Sequence, residues 1–255
     1  MTRPDLRIDD DFELAVAEGR AFQTLYVRVE GEEPPHEAEM PTDELRRLAV
    51  EGSVDAQIGW ARRLLHGHGM PADPEAALRW FKIAARTGDA EALNMVGRCY
   101  ELGWGASVDC TEAADWFRRA ADKGNSWGAF NLALLYAEGR GLPADERQAV
   151  TLLVRAARRA NPKAMSWLGR HREAAGRPRS AAFWYRRAAE GGCFRGQFHH
   201  GRVLAAAGRV AEAVPFFRAA LAHAPLAFRA EALDVLRYAA HPDLRALAAA
   251  AEAPR

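Results

Sequence analysis

Residues 101–109 read ELGWGASVD, with two glycines two apart and an aspartate four residues after the second. A glycine-rich turn of this kind either cradles a phosphate or turns one helix tightly into the next. Self-comparison separates the two readings, because a phosphate cradle occurs once, beside its own catalytic partners, whereas a structural turn recurs. The pattern recurs. HGHGMPAD covers 66–73, LGWGASVD covers 102–109 and EGRGLPAD covers 138–145, a period of 36 residues.

The rest of the unit keeps the same register. Ala56, Ala92, Gly128 and Ala164 are 36 apart, as are Ala61, Gly97, Ala133 and Gly169. A large pair reads Trp80-Phe81, Trp116-Phe117 and Leu152-Leu153, and each is followed by Ala-Ala at 84–85, 120–121 and 156–157. The period then shortens to 32, with Trp184-Tyr185 and Phe216-Phe217 continuing the large pair and Gly201 following Gly169. The loss of four residues falls in the turn, which becomes AAGRPRS at 174–180 and AAGRVAE at 206–212.

Each unit reads as two helices. The first carries apolar or small residues at helical spacing, such as Ala92, Val96, Gly97 and Tyr100, and the second runs through AALRWFKIAA or EAADWFRRAA. Asp73, Asp109 and Asp145 stand where each second helix begins, so their carboxylates suit the unpaired N–H groups of its first turn. One hairpin cannot bury its apolar stripe alone, but stacked hairpins can. The expected fold is all-α, a right-handed superhelical solenoid of antiparallel helix pairs. It is read as an acidic N-terminal segment and capping helix over 1–52, about five repeats over 53–223 and C-terminal capping helices over 224–255.

The pattern carried by Ala92, Gly97, Tyr100, Gly103, Gly105, Asp109, Ala113, Trp116, Ala120, Ala121 and Gly124 resembles the Sel1-like repeat family. The shortened units, especially GRVAEAVPFFRAALAHAP at 208–225, look more like tetratricopeptide repeats. The resemblance implies a helical solenoid that serves as an adaptor for protein partners. Some extracellular members carry two cysteines per unit in disulfides. Cys99, Cys110 and Cys193 are single and irregular, so the penicillin-binding or β-lactamase activity attributed to such members has little support.

In stacked helical hairpins the first helices line the concave face, and partner specificity falls on the positions that the repeat leaves variable. One such position reads Arg62, Arg98, Leu134, Arg170 and Arg202. A second reads Ile58, Asn94, Phe130, Ser166 and Phe198, and a third Asp55, Glu91, Trp127, Lys163 and Arg195. Trp127, Phe130 and Leu134, at i, i+3 and i+7, are expected to form an apolar patch flanked by arginines. The chain has only three lysines, so arginine is its usual basic residue and an ordinary solvated face is the alternative. On the binding reading the partner is a protein or peptide whose acidic groups pair with the guanidiniums.

Composition and motifs argue against other classes. The net charge of +1 falls short of a strongly basic nucleic-acid binder, and few aromatics interleave with a continuous basic surface. No apolar run suits a membrane span, and MTRPDLRIDDDFE lacks the apolar core of a secretory signal, so the cytoplasm is the expected location. GxSxG, HExxH and P-loop motifs are absent. His66 and His68 lie in a turn, and the adjacent helical His199 and His200 point about 100° apart, so neither pair suits one metal ion. No cofactor or metal is expected. The leading reading is a non-catalytic scaffold or adaptor. The alternatives are an inhibitor or immunity-type protein for one cognate enzyme and, from a different class, a cell-wall-related hydrolase, for which no convergent titratable pocket is visible.

Residues 1–44 hold 13 acidic and 4 basic side chains. Gly31 is in register with Gly67, which fits a degenerate first helix, yet Leu25, Val27 and Val29 alternate as in a strand. GEEPPHEAEMP at 31–41 reads as a linker. The acidic segment could lie against the arginine column and compete with a partner, or serve as a solubilising cap.

Overall fold

The computed structural model describes residues 40–252. The acidic segment, the alternative helix or strand at 16–30 and most of the linker lie outside the described residues. All regular structure among the described residues is helical. The helices are α1 (Thr42–Val50), α2 (Val54–His66), α3 (Pro74–Ala85), α4 (Ala90–Leu102), α5 (Cys110–Asp122), α6 (Ser126–Glu138), α7 (Glu146–Arg158), α8 (Pro162–Ala174), α9 (Pro178–Glu190), α10 (Phe194–Ala206), α11 (Val210–His223), α12 (Leu226–Arg237) and α13 (Pro242–Glu252). The chain divides into two compact units, with the division between Ala156 and Ala157.

In the first unit α2 packs on α3 and α4 on α5, each a hairpin of the repeat. The small residue of the first helix receives the second member of the large pair. A Cβ placed on Gly97 would lie 2.6 Å from the Phe117 ring, closer than two carbons can approach, so the ring rests on bare helix backbone. Ala61 with Phe81, and Ala133 with Leu153, fill the same positions, and all four are fully buried. The Ala-Ala pair then faces the next hairpin: a Cβ on Gly128 of α6 would meet the Ala120 Cβ of α5 at 2.6 Å. Full burial of a Phe or Leu side chain contributes about 1.5–3 kcal/mol, so these register positions dominate the core.

The opening turn is a helix stop followed by a helix start. Gly103 adopts a left-handed φ of 75°, and the Trp104 N–H donates to the Cys99 carbonyl at 2.8 Å. The Asp109 N–H then returns to the Tyr100 carbonyl at 2.9 Å. The Asp109 carboxylate accepts from the N–H groups of Thr111 and Glu112, each at 3.0 Å. Asp73 and Asp145 cap α3 and α7 in the same way, accepting from Ala76 N–H at 2.8 Å and Gln148 N–H at 3.0 Å. The donors that a phosphate would need are thus held by the protein's own carboxylates.

A second series of caps shares the period. Ser53, Asp89 and Asn125 precede α2, α4 and α6 and accept from the N–H groups of Ala56, Ala92 and Gly128.

The second unit repeats the logic in shorter form. Here α8 packs on α9 and α10 on α11. Asn161 caps α8, accepting from Ala164 N–H at 2.9 Å. Cβ atoms on Gly169 and Gly201 would meet the rings of Tyr185 and Phe217 at 2.4 and 3.0 Å. A core of Phe194, Phe198, Phe217, Phe228, Leu233 and Leu236 ties α12 to α10 and α11, and α13 adds Leu244 and Ala248 to it.

Gly69 and Gly105 have nearly the same backbone, with φ of 73° and 74°. A Cβ on Gly69 meets nothing within 4 Å, whereas one on Gly105 would strike the Pro74 carbonyl oxygen at 2.1 Å, where the turn rests on the start of α3. Gly69→Ala is therefore expected to lose only the left-handed backbone cost, about 1–2 kcal/mol. Gly105→Ala is expected to lose clearly more, because the backbone it meets must move. Urea denaturation of the two variants checks this, and equal losses would show that the turn does not bear on α3.

Candidate functional site

The first helices of the first unit carry the face that the sequence singled out. Arg62, Arg98 and Leu134 are all half-buried there. Arg62 of α2 forms an ion pair with Glu91 of α4, so two of the variable positions neutralise each other across neighbouring repeats. Asn94 is buried, and its Oδ1 accepts from Asn131 Nδ2 of α6 at 3.0 Å. The Arg98 guanidinium lies 4.8 Å from the centroid of Trp104, the residue between the two turn glycines. The Arg62–Glu91 and Asn131–Asn94 links hold the first helices side by side.

The expected patch of Trp127, Phe130 and Leu134 has layers. Trp127 is 36 % exposed, while Phe130 is 5 % exposed and lies beneath it, edge to face at 6.2 Å. Phe130 therefore supports the tryptophan from below and does not itself reach the surface. The whole second variable position behaves likewise: Ile58, Asn94, Phe130, Ser166 and Phe198 are all buried. On a helix, a position three residues after an exposed one turns by about 300°, close enough to share a face yet far enough to fall inside the seam between two helices.

The second unit gathers Arg170 of α8 with Arg195 and Arg202 of α10. The Arg202 guanidinium donates to His199 Nδ1 at 3.0 Å and sits 3.5 Å from Glu173. The Tyr185 hydroxyl donates to Glu173 at 2.6 Å. Burial, reinforced by that carboxylate, pushes the Tyr185 phenol far above its ordinary range. Arg195 lies over the rings of Phe228 and Phe194, at 4.7 and 5.4 Å. Burial lowers Arg170 and Arg195, and the Arg170 charge lowers Arg195 further. Sequence reasoning placed Arg170, Arg195 and Arg202 on variable positions but not Glu173, Tyr185 or Glu231 beside them. Glu231 stands on α12, outside the repeat register, so no periodic signal marks it.

None of the three cysteines is in a disulfide, and Cys99, buried, has its thiol pushed up to about 12, chiefly by desolvation. Among the described residues no group of three or more His, Cys, Asp or Glu side chains is placed to hold a metal ion. No helix among them is long and apolar enough to cross a membrane.

Two histidines are held neutral. Burial first, then Arg172 and Arg177, lowers His171 to about 4, and burial with Arg202, Arg170 and Arg195 lowers His199 to about 3. Both lie below the unfolded value, so the unfolded chain binds more protons once the pH falls under about 6.5. Their contribution is complete above that pH and is lost toward pH 4 and pH 3. Each is expected to give a slope of up to about 1.4 kcal/mol per pH unit in that window. Urea denaturation at pH 7 and pH 5 checks this. His171→Gln is expected to flatten the dependence, and an unchanged slope would contradict it.

A family model described as the Sel1 repeat matches residues 54–89, 90–125, 128–161 and 162–193, more than half of the chain. None of the curated proteins matches. Among solved structures, a Sel1 repeat protein from Oxalobacter formigenes is similar at 24 % identity and a TM-score of 0.67, covering 76 % of this chain and 58 % of that one. The chain thus spans under two thirds of that protein's length. An immunity protein from Pseudomonas aeruginosa is similar at 17 % identity and a TM-score of 0.51, over 84 % of this chain and 76 % of its own. A second immunity protein from the same organism gives 16 %, 0.50, 87 % and 78 %. At these identities the likeness is one of fold.

Proposed function

The chain belongs to the Sel1 repeat family, and we propose that it is a non-catalytic adaptor that binds a peptide or protein in the groove lined by its first helices. The repeat is a scaffold type suited to protein–protein contact. The observation that carries the finer reading is Trp127. A large aromatic stands exposed on the first-helix face, seated on buried Phe130, beside half-buried Leu134 and within a layer braced by Arg62–Glu91 and Asn131–Asn94. A rigid, half-exposed tryptophan supplies contact area with little ordering cost, which is the character of an interface anchor. Arg98, in the same unit, adds a carboxylate-pairing group to it.

The second reading is an inhibitor of the immunity type. The fold likeness to two proteins of that description supports keeping it. An inhibitor would bury a large interface on one enzyme and bind tightly, whereas an adaptor grips a short segment. Mass and stoichiometry of the captured complex separate the two.

Trp127→Asp is the direct test. Affinity purification with the intact chain is expected to capture one partner. The variant is expected to lose about 2 kcal/mol of binding, roughly thirtyfold in Kd, with helical content unchanged by circular dichroism. A partner retained at full affinity would move the site away from this face.

A further inference from the structure

Three guanidiniums of the second unit meet too few acceptors. Arg170 stands on α8, and Arg195 and Arg202 stand seven residues apart on one face of α10, which packs beside α8. Arg202 has partners in Glu173 and His199. Arg170 and Arg195 have no hydrogen bond and no close ion pair among the described residues. The Arg195 Nε is buried and without an acceptor. Glu173 and Glu231 act on Arg170, and Glu231 alone of the two on Arg195.

Glu173 and Glu231 are carboxylates that act on this arginine group. His199 accepts a hydrogen bond from Arg202 and stays neutral. Arg170 and Arg195 are half-buried, and the Arg195 Nε lacks an acceptor there, where an unmatched polar group is costly. The guanidinium fork fits the two oxygens of a carboxylate, and the rings of Phe194 and Phe228 fix the plane of Arg195.

We propose that Arg170, Arg195 and Arg202 form a carboxylate-binding site that takes an aspartate or glutamate side chain of a partner's segment. The proposal deepens the adaptor reading and rests on it. The notable acid content of residues 1–44 makes the chain's own segment a competitor for the same site.

Fluorescence anisotropy with a labelled oligoglutamate peptide tests it, with oligoglutamine as control, on the full chain at low salt. Oligoglutamate is expected to bind and oligoglutamine not. Arg170→Gln and Arg195→Gln are each expected to weaken binding about tenfold or more. The charge-matched Arg218→Gln, on exposed α11 surface, is expected to leave it within about twofold. A full chain with Asp9, Asp10, Asp11 and Glu13 changed to amides is expected to bind at least as tightly. Binding seen only with that variant supports the site as one that the chain itself occupies. Three results would overturn the proposal: no binding to either chain, an equal loss in Arg218→Gln, or tighter binding of a phosphoserine peptide. If oligoglutamate fails while the Trp127-dependent partner is retained, this proposal falls and the adaptor reading stands.

Discussion

A large side chain of the second helix lying on a small residue of the first holds the hairpins together, and in three of them it is an aromatic ring on a glycine. Phe117 on Gly97 and Tyr185 on Gly169 leave no room for a methyl group in between, and Phe217 on Gly201 leaves little. That contact brings the two helices of a repeat to close range and sets their rotation. Once the ring is seated, the Ala-Ala pair that follows it on the second helix faces the next first helix, where Gly128 and Gly196 allow a second close approach. The turn glycines then have a defined span to cross, and the aspartate after them lands at the first turn of the next helix. Register, turn and cap are consequences of one packing constraint repeated along the chain.

The same constraint decides where recognition can live. Small residues, rings and caps are consumed by the stack, so a partner meets only what the register leaves over. In the first unit those leftovers partly satisfy each other, as Arg62 does with Glu91 and Asn131 with Asn94. Trp127 stands 36 % exposed among them. In the second unit the balance differs. Arg170 and Arg195 are half-buried beside the more exposed Arg202, and the Arg195 Nε is without an acceptor. The two surfaces differ in chemistry although they occupy equivalent positions of one repeat.

Much of the fold was legible because periodicity reports packing directly. A residue type that recurs every 36 positions must answer a recurring environment, and Gly97, Phe117 and Asp109 each do. The caps Ser53, Asp89, Asn125 and Asn161 carry the same period and were equally open to reading. The site was harder to see. Variability marked Phe130 and Asn94 as candidates for the surface, but variation also occurs in a seam between helices, where different side chains fill differently shaped gaps. Glu231 could not be found by register at all, since α12 belongs to no repeat. Charge balance in the arginine cluster depends on three-dimensional neighbours such as Tyr185 and Glu173, twelve residues apart on different helices.

The ring-on-backbone contact is tested most directly by a double-mutant cycle at Gly97 and Phe117, read by urea denaturation. In an ordinary helix Gly→Ala stabilises by about 0.5–1 kcal/mol. Here Gly97→Ala is predicted to destabilise by about 1–3 kcal/mol while Phe117 is present, through overpacking. In a Phe117→Leu background, where the smaller side chain can yield, the same change is predicted to be neutral or stabilising. A Gly97→Ala that stabilises equally in both backgrounds would contradict the account.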